Sequence, residues 1–290
     1  MRAREPDAAG YVDRAGVKLH YEVFGDGRTT LLLMPTWTIV HSRFWKAQVP
    51  YLARHFRVVT YDGPGNGRSD RPLDAGPYGY EEQARAASAV LDATGTDRAV
   101  AVSLSMGAQW ALWLMANQPE RLLGSVFIGP SLALGPGYDR TNFPFDEPYT
   151  TTEGWAKYNR HYWLEHYQDF LEFFFSQCFT ERHSTKPIED SVGWGLETSP
   201  EVLITENDAA WPDDATLRGW CARSRCPVLV IHGDNDQISP LRRGKALAEA
   251  TGGGLVVMKG AGHIPQARDP VKVNLLIREF VESLPDRSGP

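Results

Sequence analysis

The chain has 290 residues, of which 42% are hydrophobic, and a formal net charge of −6. This length is sufficient for one large domain or two modest ones, each with a packed core. The acidic balance argues against a nucleic-acid partner, because binding to phosphate backbones depends on clustered Lys and Arg. The first ten residues are polar and no apolar run reaches membrane-spanning length. We therefore expect a cytoplasmic protein with no membrane partner.

Short β-rich runs alternate along the chain with longer amphipathic stretches. The predicted strands are residues 17–24, 30–34, 56–61, 98–103, 123–128, 227–232 and 255–258. The predicted helices are residues 43–54, 81–94, 106–118, 240–250 and 270–284. This alternation is typical of βαβ crossovers, so it predicts an α/β fold with a mostly parallel central sheet and flanking helices.

One region of the sequence departs from this alternation. Between Ser131 and Trp220 there are 16 Asp and Glu against 6 Lys and Arg, together with 17 aromatic residues. The aromatic spacing suits amphipathic helices that cover an apolar surface, or that pack the region's own core. We predict a discontinuous α/β core, residues 1–130 and 220–290, with an inserted helical lid at residues 131–219.

The strongest local signal surrounds Ser105. The sequence SLSMG at residues 103–107 follows an apolar strand and opens a helical pattern. A serine at such a turn has a strained backbone that projects its Oγ from the sheet, and the neighbouring residues must be small. Ser103 and Gly107 meet that condition. Ser105 is the predicted nucleophile, and the N–H groups at the start of the helix face the negative charge that develops during reaction.

This segment resembles the nucleophile elbow of the α/β-hydrolase superfamily, G-x-S-x-G, with Ser103 in place of the first glycine. Two later loops resemble the G-x-x-D and G-H signatures of the same family: GDND at residues 233–236 and GAGH at residues 260–263. The resemblance implies that His263 is the base and that Asp236 is the acid that orients it. Asp234 is interpreted as a turn residue, and His232 as a surface or packing residue.

The resemblance also implies an oxyanion hole made of two backbone N–H groups. Met106 supplies one, and Trp37 supplies the other from a loop in which PTW at residues 35–37 replaces the usual His-Gly. Thr36 is the alternative donor if the register differs by one residue, whereas Pro35 has no N–H. The sequence DGPGNGRS at residues 62–69 resembles the family's D-x-x-G-x-G-x-S loop, which we interpret as structural.

These features predict a serine hydrolase that cleaves a carboxylic ester or lactone of a small molecule through an acyl-enzyme. Water completes the reaction, so we expect no metal and no organic cofactor. The alternatives are a general carboxylesterase, a hydrolase of C–C bonds next to a ketone, and a cofactor-free perhydrolase. A hydrolase fold that binds a ligand without turnover is disfavoured, because all three triad residue types are present in the family's order.

A narrower resemblance concerns the substrate. The segment PTWTIVHSRFW at residues 35–45 is similar to that of a bacterial branch that includes serine-dependent macrolide esterases. It implies the ring ester of a macrolide antibiotic as substrate, and so a role in antibiotic resistance. The aromatic faces and carboxylates of the lid would attract the ammonium group of an amino sugar. In the alternative interpretation, the acidic residues form a solvated helix face.

Overall fold

The computed structural model describes residues 4–139 and 143–285. Its centre is an eight-stranded sheet with the strand order β1-β2-β4-β3-β5-β6-β7-β8. The strands are β1 (Ala8–Arg14), β2 (Val17–Phe24), β3 (Thr30–Leu33), β4 (Arg57–Tyr61), β5 (Ala99–Leu104), β6 (Leu122–Ile128), β7 (Val228–Gly233) and β8 (Gly254–Met258). Strand β2 pairs antiparallel with β1 and β4, and all other neighbours are parallel. The predicted α/β-hydrolase fold is confirmed.

Helices cover both faces of the sheet. They are α1 (Val49–Leu52), α2 (Tyr80–Ala93), α3 (Gly107–Asn117), α4 (Arg160–Cys178), α5 (Thr185–Gly195), α6 (Pro200–Asn207), α7 (Asp214–Arg223), α8 (Leu241–Thr251), α9 (Pro265–Arg268) and α10 (Pro270–Ser283). Every residue of β3 and β5 is buried, because alternate side chains of a doubly covered strand enter two different cores. Leu31 and Leu33 join one apolar cluster, and Leu32 joins the other.

The sequence analysis missed one strand and predicted one helix wrongly. The antiparallel edge strand β1 was not predicted, because its alternating residues are mostly exposed or half-buried and give no apolar run. Residues 43–54 do not form one helix: a 3₁₀ turn, Ser42–Trp45, is separated from the short α1. Pro50 lies in the first turn of α1, where its missing N–H is tolerated, but it cannot continue a preceding helix.

Helices α4 to α7 lie between β6 and β7 in the chain, within the predicted lid region. Trp163 and Phe170 of α4 are fully buried and join the cluster that also contains Trp37 of the sheet edge. By contrast, Leu217 and Trp220 of α7 join the opposite cluster. The division into core and lid stays a prediction, and these contacts favour a core that resumes at α7. Among the described residues, no helix combines the length and apolar character needed to cross a membrane.

Candidate active site

Ser105 lies at the turn between β5 and α3, at the carboxyl edge of the sheet. Its φ angle is +52°, in the left-handed region that side chains other than glycine seldom adopt. The strained turn is held on both sides, because the Ser105 N–H donates to the Ile128 carbonyl at 3.0 Å and its carbonyl accepts from the Ser131 N–H at 3.0 Å. Strain of this kind persists where surrounding hydrogen bonds enforce it, as at nucleophile elbows.

The small residues on either side of Ser105 are needed for different reasons. A Cβ atom at Gly107 would lie 2.4 Å from the Pro35 carbonyl oxygen, so only glycine fits there. Ser103 is fully buried and its Oγ lies 3.3 Å from the Val126 carbonyl oxygen, to which it donates. The hydroxyl that departs from the family's glycine is therefore satisfied within the sheet, in agreement with a structural role for Ser103.

Asp236 and His263 meet on the loops that follow β7 and β8. His263 Nδ1 lies 2.7 Å from Asp236 Oδ2. The other carboxylate oxygen accepts from the backbone N–H groups of Ile238 and Ser239 at 2.8 and 2.9 Å. Burial by itself would raise the pKa of Asp236, but the charge of His263 and the histidine contacts hold that pKa well below its usual value. The carboxylate is therefore ionised and can stabilise an imidazolium at His263.

His232 is a neighbour of this pair that the sequence interpretation did not place in the site. Its side chain is fully buried, and Nε2 lies 2.9 Å from the Ser239 carbonyl and 3.1 Å from Asp236 Oδ2. Nδ1 is buried without a hydrogen-bond partner among the described residues. This favours the neutral tautomer with the proton on Nε2, because a second N–H would be unsatisfied. The signal in the sequence was its position, directly before the glycine of the acid loop.

Ser105 and His263 line the same cavity. Among the described residues, the Ser105 hydroxyl makes no hydrogen bond, so the structure shows no hydrogen bond between it and the His263 ring. This is common in ligand-free hydrolases, in which catalytic contacts tighten on binding. The loop that carries His263 is held by a backbone hydrogen bond, in which the His263 main-chain N–H donates to the Cys178 carbonyl at 2.9 Å. Gly129 leaves room for the ring, because a Cβ atom there would lie 3.2 Å from His263 Nδ1.

The predicted oxyanion donors lie on either side of Ser105. Met106 is the residue before α3, and Trp37 lies on the loop after β3. Among the described residues, neither backbone N–H is engaged in a hydrogen bond, so both are available to an oxyanion. Trp37 and Thr36 both line the cavity. The Trp37 ring packs against Phe174 of α4, with centroids 5.0 Å apart.

The cavity has a volume of about 240 Å³ and a lining of two chemically different kinds. One part of the lining is aromatic and includes Trp37, Phe174, Phe175 and Phe179. The other part is charged: Lys46 and Lys186 line the cavity together with Asp190, and both lysines form ion pairs with that aspartate. Across the part of the chain that the structure describes, no three His, Cys, Asp or Glu side chains are grouped as metal ligands.

The glycine-rich loop at residues 62–69 has the structural role that its sequence suggested. Asp62 is buried and accepts hydrogen bonds from the backbone N–H groups of Ser42 and Arg68 at 2.9 and 3.0 Å. A Cβ atom at Gly67, whose φ is +60°, would lie 2.4 Å from the Asp62 carboxylate. The loop therefore packs around Asp62 and fixes the chain beside the Trp37 loop.

A serine at a strained strand-to-helix turn, with an aspartate and a histidine on the loops after two later parallel strands, is the arrangement of α/β hydrolases. The family model of the alpha/beta hydrolase fold matches residues 29–270 of this chain. The chain therefore belongs to the alpha/beta hydrolase fold family.

Similar proteins extend over most of the chain. AB hydrolase superfamily protein YisY of Bacillus subtilis is 26% identical over 288 residues, covering 92% of this chain and 96% of that protein. The 3-oxoadipate enol-lactonase 2 of Acinetobacter baylyi is 22% identical over 271 residues, covering 89% of this chain and 91% of that protein. A hydrolase from Pseudomonas aeruginosa PA01 has a crystal structure that matches with a TM-score of 0.79 at 25% identity, covering 96% of this chain and 99% of that one.

Proposed function

We propose that this protein is a serine hydrolase that cleaves a small carboxylic ester or lactone through an acyl-enzyme on Ser105. The observation that carries the proposal is the 2.7 Å contact between His263 Nδ1 and Asp236 Oδ2, because His263 lines the same cavity as Ser105. His263 takes the proton of Ser105 as the hydroxyl attacks the acyl carbon, and returns it to the leaving alcohol. Water then repeats the sequence and releases the acid.

The oxyanion that forms in each step would be bound by the N–H groups of Met106 and Trp37. Backbone donors already fixed in place stabilise the developing charge without reorganisation, which is the largest contribution in many acyl-transfer enzymes. Relatives named as a lactonase and as hydrolases support the same reaction class. Because of these relatives, we also propose that the substrates of this enzyme are small molecules.

The cavity favours a compact, largely apolar substrate. Its volume of about 240 Å³ is below the range of about 300–1,000 Å³ that is usual for sites of drug-sized ligands. Besides His263, the charged side chains in its lining are two lysines, Lys46 and Lys186, and Asp190. Of the acidic residues of the insert, Asp146 and Asp169 form ion pairs with Arg160 and Lys157 at the surface instead.

The ring ester of a macrolide stays a narrower prediction within this proposal. The aromatic rings of α4 that line the cavity favour an apolar ring as ligand. The volume and the two lysines favour a smaller substrate without an ammonium group. Hydrolysis of a macrolide would require the insert to move outwards and enlarge the cavity. General carboxylesterase, C–C hydrolase and perhydrolase activities use the same three residues and remain the alternatives.

The test is a pre-steady-state burst with a p-nitrophenyl ester, followed by intact-protein mass spectrometry. We expect one equivalent of p-nitrophenol per active site and a transient mass increase of one acyl group. Ser105→Ala should lose both, and Ser103→Ala is the matched control that should keep both. A burst that survives in Ser105→Ala would contradict the proposal.

A panel of esters and lactones of graded size then defines the substrate class. We expect kcat/KM to be highest for small esters or lactones and to fall as the acyl group outgrows the cavity. Macrolides belong in the same panel, because ring opening adds one water to their mass. Ring opening of a macrolide faster than hydrolysis of every small ester would favour the narrower prediction.

A further inference from the structure

A buried carboxyl group from the insert reaches the loop that follows β3. Glu206 of α6 is only 1% exposed, and its Oε2 accepts a hydrogen bond from the Thr38 N–H at 3.1 Å. Oε1 is buried without a hydrogen-bond partner among the described residues. Burying a carboxyl group with an unpaired oxygen costs more free energy than burying an apolar side chain of the same size. Packing alone therefore does not explain why a glutamate occupies this position.

The contact falls beside the proposed oxyanion donor. Thr38 directly follows Trp37, so a hydrogen bond to the Thr38 N–H restricts the backbone torsions of Trp37. The other polar groups of Thr38 form hydrogen bonds with the core. The Thr38 hydroxyl donates to the Pro64 carbonyl at 3.2 Å, and the Thr38 carbonyl accepts from Asn66 Nδ2 at 2.7 Å. Within residues 4–139 and 143–285, the hydrogen bond to the Thr38 N–H thus comes from the insert, and Phe174 of α4 packs on the Trp37 ring.

We propose that Glu206 is a positioning residue for hydrolysis: its hydrogen bond to Thr38 fixes the backbone of Trp37 so that the Trp37 N–H can bind the oxyanion. The insert then completes the oxyanion hole in addition to covering the cavity. This inference rests on the proposed function, because it assumes that Ser105 attacks the substrate and that Trp37 binds the oxyanion.

Protonation of Glu206 gives the proposal a second readout. Burial raises the pKa of Glu206 to about 8, although the hydrogen bonds from Thr38 oppose this rise. The nearby titratable groups are the hydroxyls of Tyr78 and Tyr167, whose pKa values are raised first by burial and then by the charge of Glu206. Both tyrosines stay neutral at pH 8, so Glu206 is the group of this cluster that changes charge there.

The direction of the pH effect follows from the position of that charge. Below pH 8 the Glu206 carboxyl is mostly protonated and adds no negative charge beside the Trp37 N–H. As the pH rises through 8, a negative charge appears one residue from the Trp37 N–H and opposes the developing oxyanion. The kcat of the wild-type enzyme should therefore fall above pH 8.

The experiment compares Glu206→Leu and Glu206→Gln in steady-state hydrolysis of a p-nitrophenyl ester and in binding of a trifluoromethyl ketone, which forms an oxyanion adduct with Ser105. Glu206→Leu should lower kcat by about 10- to 100-fold, weaken the ketone in parallel and leave KM within about threefold. Glu206→Gln keeps an acceptor and cannot ionise, so it should keep kcat at pH 7 and lose the fall above pH 8. Glu201→Gln, exposed on the same helix, is the control and should match the wild type.

Unchanged kcat and ketone affinity in a folded Glu206→Leu variant would overturn the inference. If that variant does not fold, as judged by circular dichroism, Glu206→Gln decides: the same alkaline fall as in the wild type would also overturn it. Ser105-dependent hydrolysis that is indifferent to both variants removes this inference alone. Hydrolysis that does not depend on Ser105 removes the proposed function as well.

Discussion

The carboxyl edge of the sheet and the insert above it are held together by different interactions. At the sheet edge, Asp236 is buried and held by directional hydrogen bonds, two of them from backbone N–H groups. In the insert, apart from the buried Glu206, many contacts are between aromatic rings in the interior or are ion pairs at the surface, such as Lys157 with Asp169. Exposed ion pairs contribute little to stability, and ring contacts have little directionality.

This difference separates two tasks. Groups that transfer protons need fixed positions, and the strand ends provide them. Groups that select a substrate have to accommodate different shapes, and helices packed through aromatic rings can shift without breaking directional bonds. We therefore expect substitutions at the sheet edge to change kcat by orders of magnitude, and substitutions in the insert to change substrate preference by smaller factors.

The largest expected effect is at His263. His263→Ala should lower kcat by about 10⁴-fold or more, because the Ser105 hydroxyl then has no base. Combined with Ser105→Ala, it should add little further loss, since triad members act as a unit. The measurement is kcat/KM of the two single variants and the double variant. Losses that multiply would show that His263 acts independently of Ser105.

A smaller but still steep loss is expected at Asp236. Asp236→Asn should preserve the fold and lower kcat by about 10³- to 10⁴-fold, because an amide favours the wrong tautomer of His263 and cannot stabilise its cation. Asp234→Asn is the matched control: Asp234 is exposed and accepts from the Gly260 N–H at 2.6 Å, away from the histidine. If Asp234→Asn lowered kcat more than Asp236→Asn, the assignment of the acid would be wrong by two residues.

An intermediate effect is expected at His232. His232→Phe fills a similar volume but removes the N–H beside Asp236. The Asp236 carboxylate then loses a hydrogen bond that lowers its pKa, so kcat should fall by about tenfold while KM stays nearly unchanged. His232→Gln, which offers an amide donor, should restore part of kcat. A loss of stability with an unchanged kcat would indicate a purely structural role.

The smallest expected effect concerns Lys46 and Lys186, the two lysines in the cavity lining. Lys46→Met and Lys186→Met should each raise kcat/KM for an ammonium-bearing ester, relative to its neutral isostere, by a few-fold. Both lysines are exposed, so added salt should weaken the effect. Lys245→Met, on α8 and outside the cavity lining, is the control. A wild-type preference for the ammonium ester would instead favour the cationic substrate that the acidic composition of the insert suggested.

The sequence predicted the parts of this protein that depend on short-range patterns. Apolar runs predicted seven of the eight strands, and the turn after β5 identified Ser105 because strain and small neighbours leave a local signature. Strand β1 was not predicted, because an exposed edge strand with only alternate half-buried residues has no apolar run in its sequence. The break before α1 was also missed, although Pro50 in the first turn of that helix is compatible with a helix start there.

Only the tertiary structure shows which side chains contact each other when they are far apart in the sequence. Glu206 counted as one of many acids of the insert, and nothing in its neighbours indicates that it is buried against Thr38. His232 looked like any strand residue, because its place beside Asp236 depends on how the loop after β7 folds back. By itself the sequence determined the order of strands and helices and the identity of the reactive residue types. Burial and pairing, which set the charge of a carboxyl group, depend on contacts between distant segments and so on the folded chain.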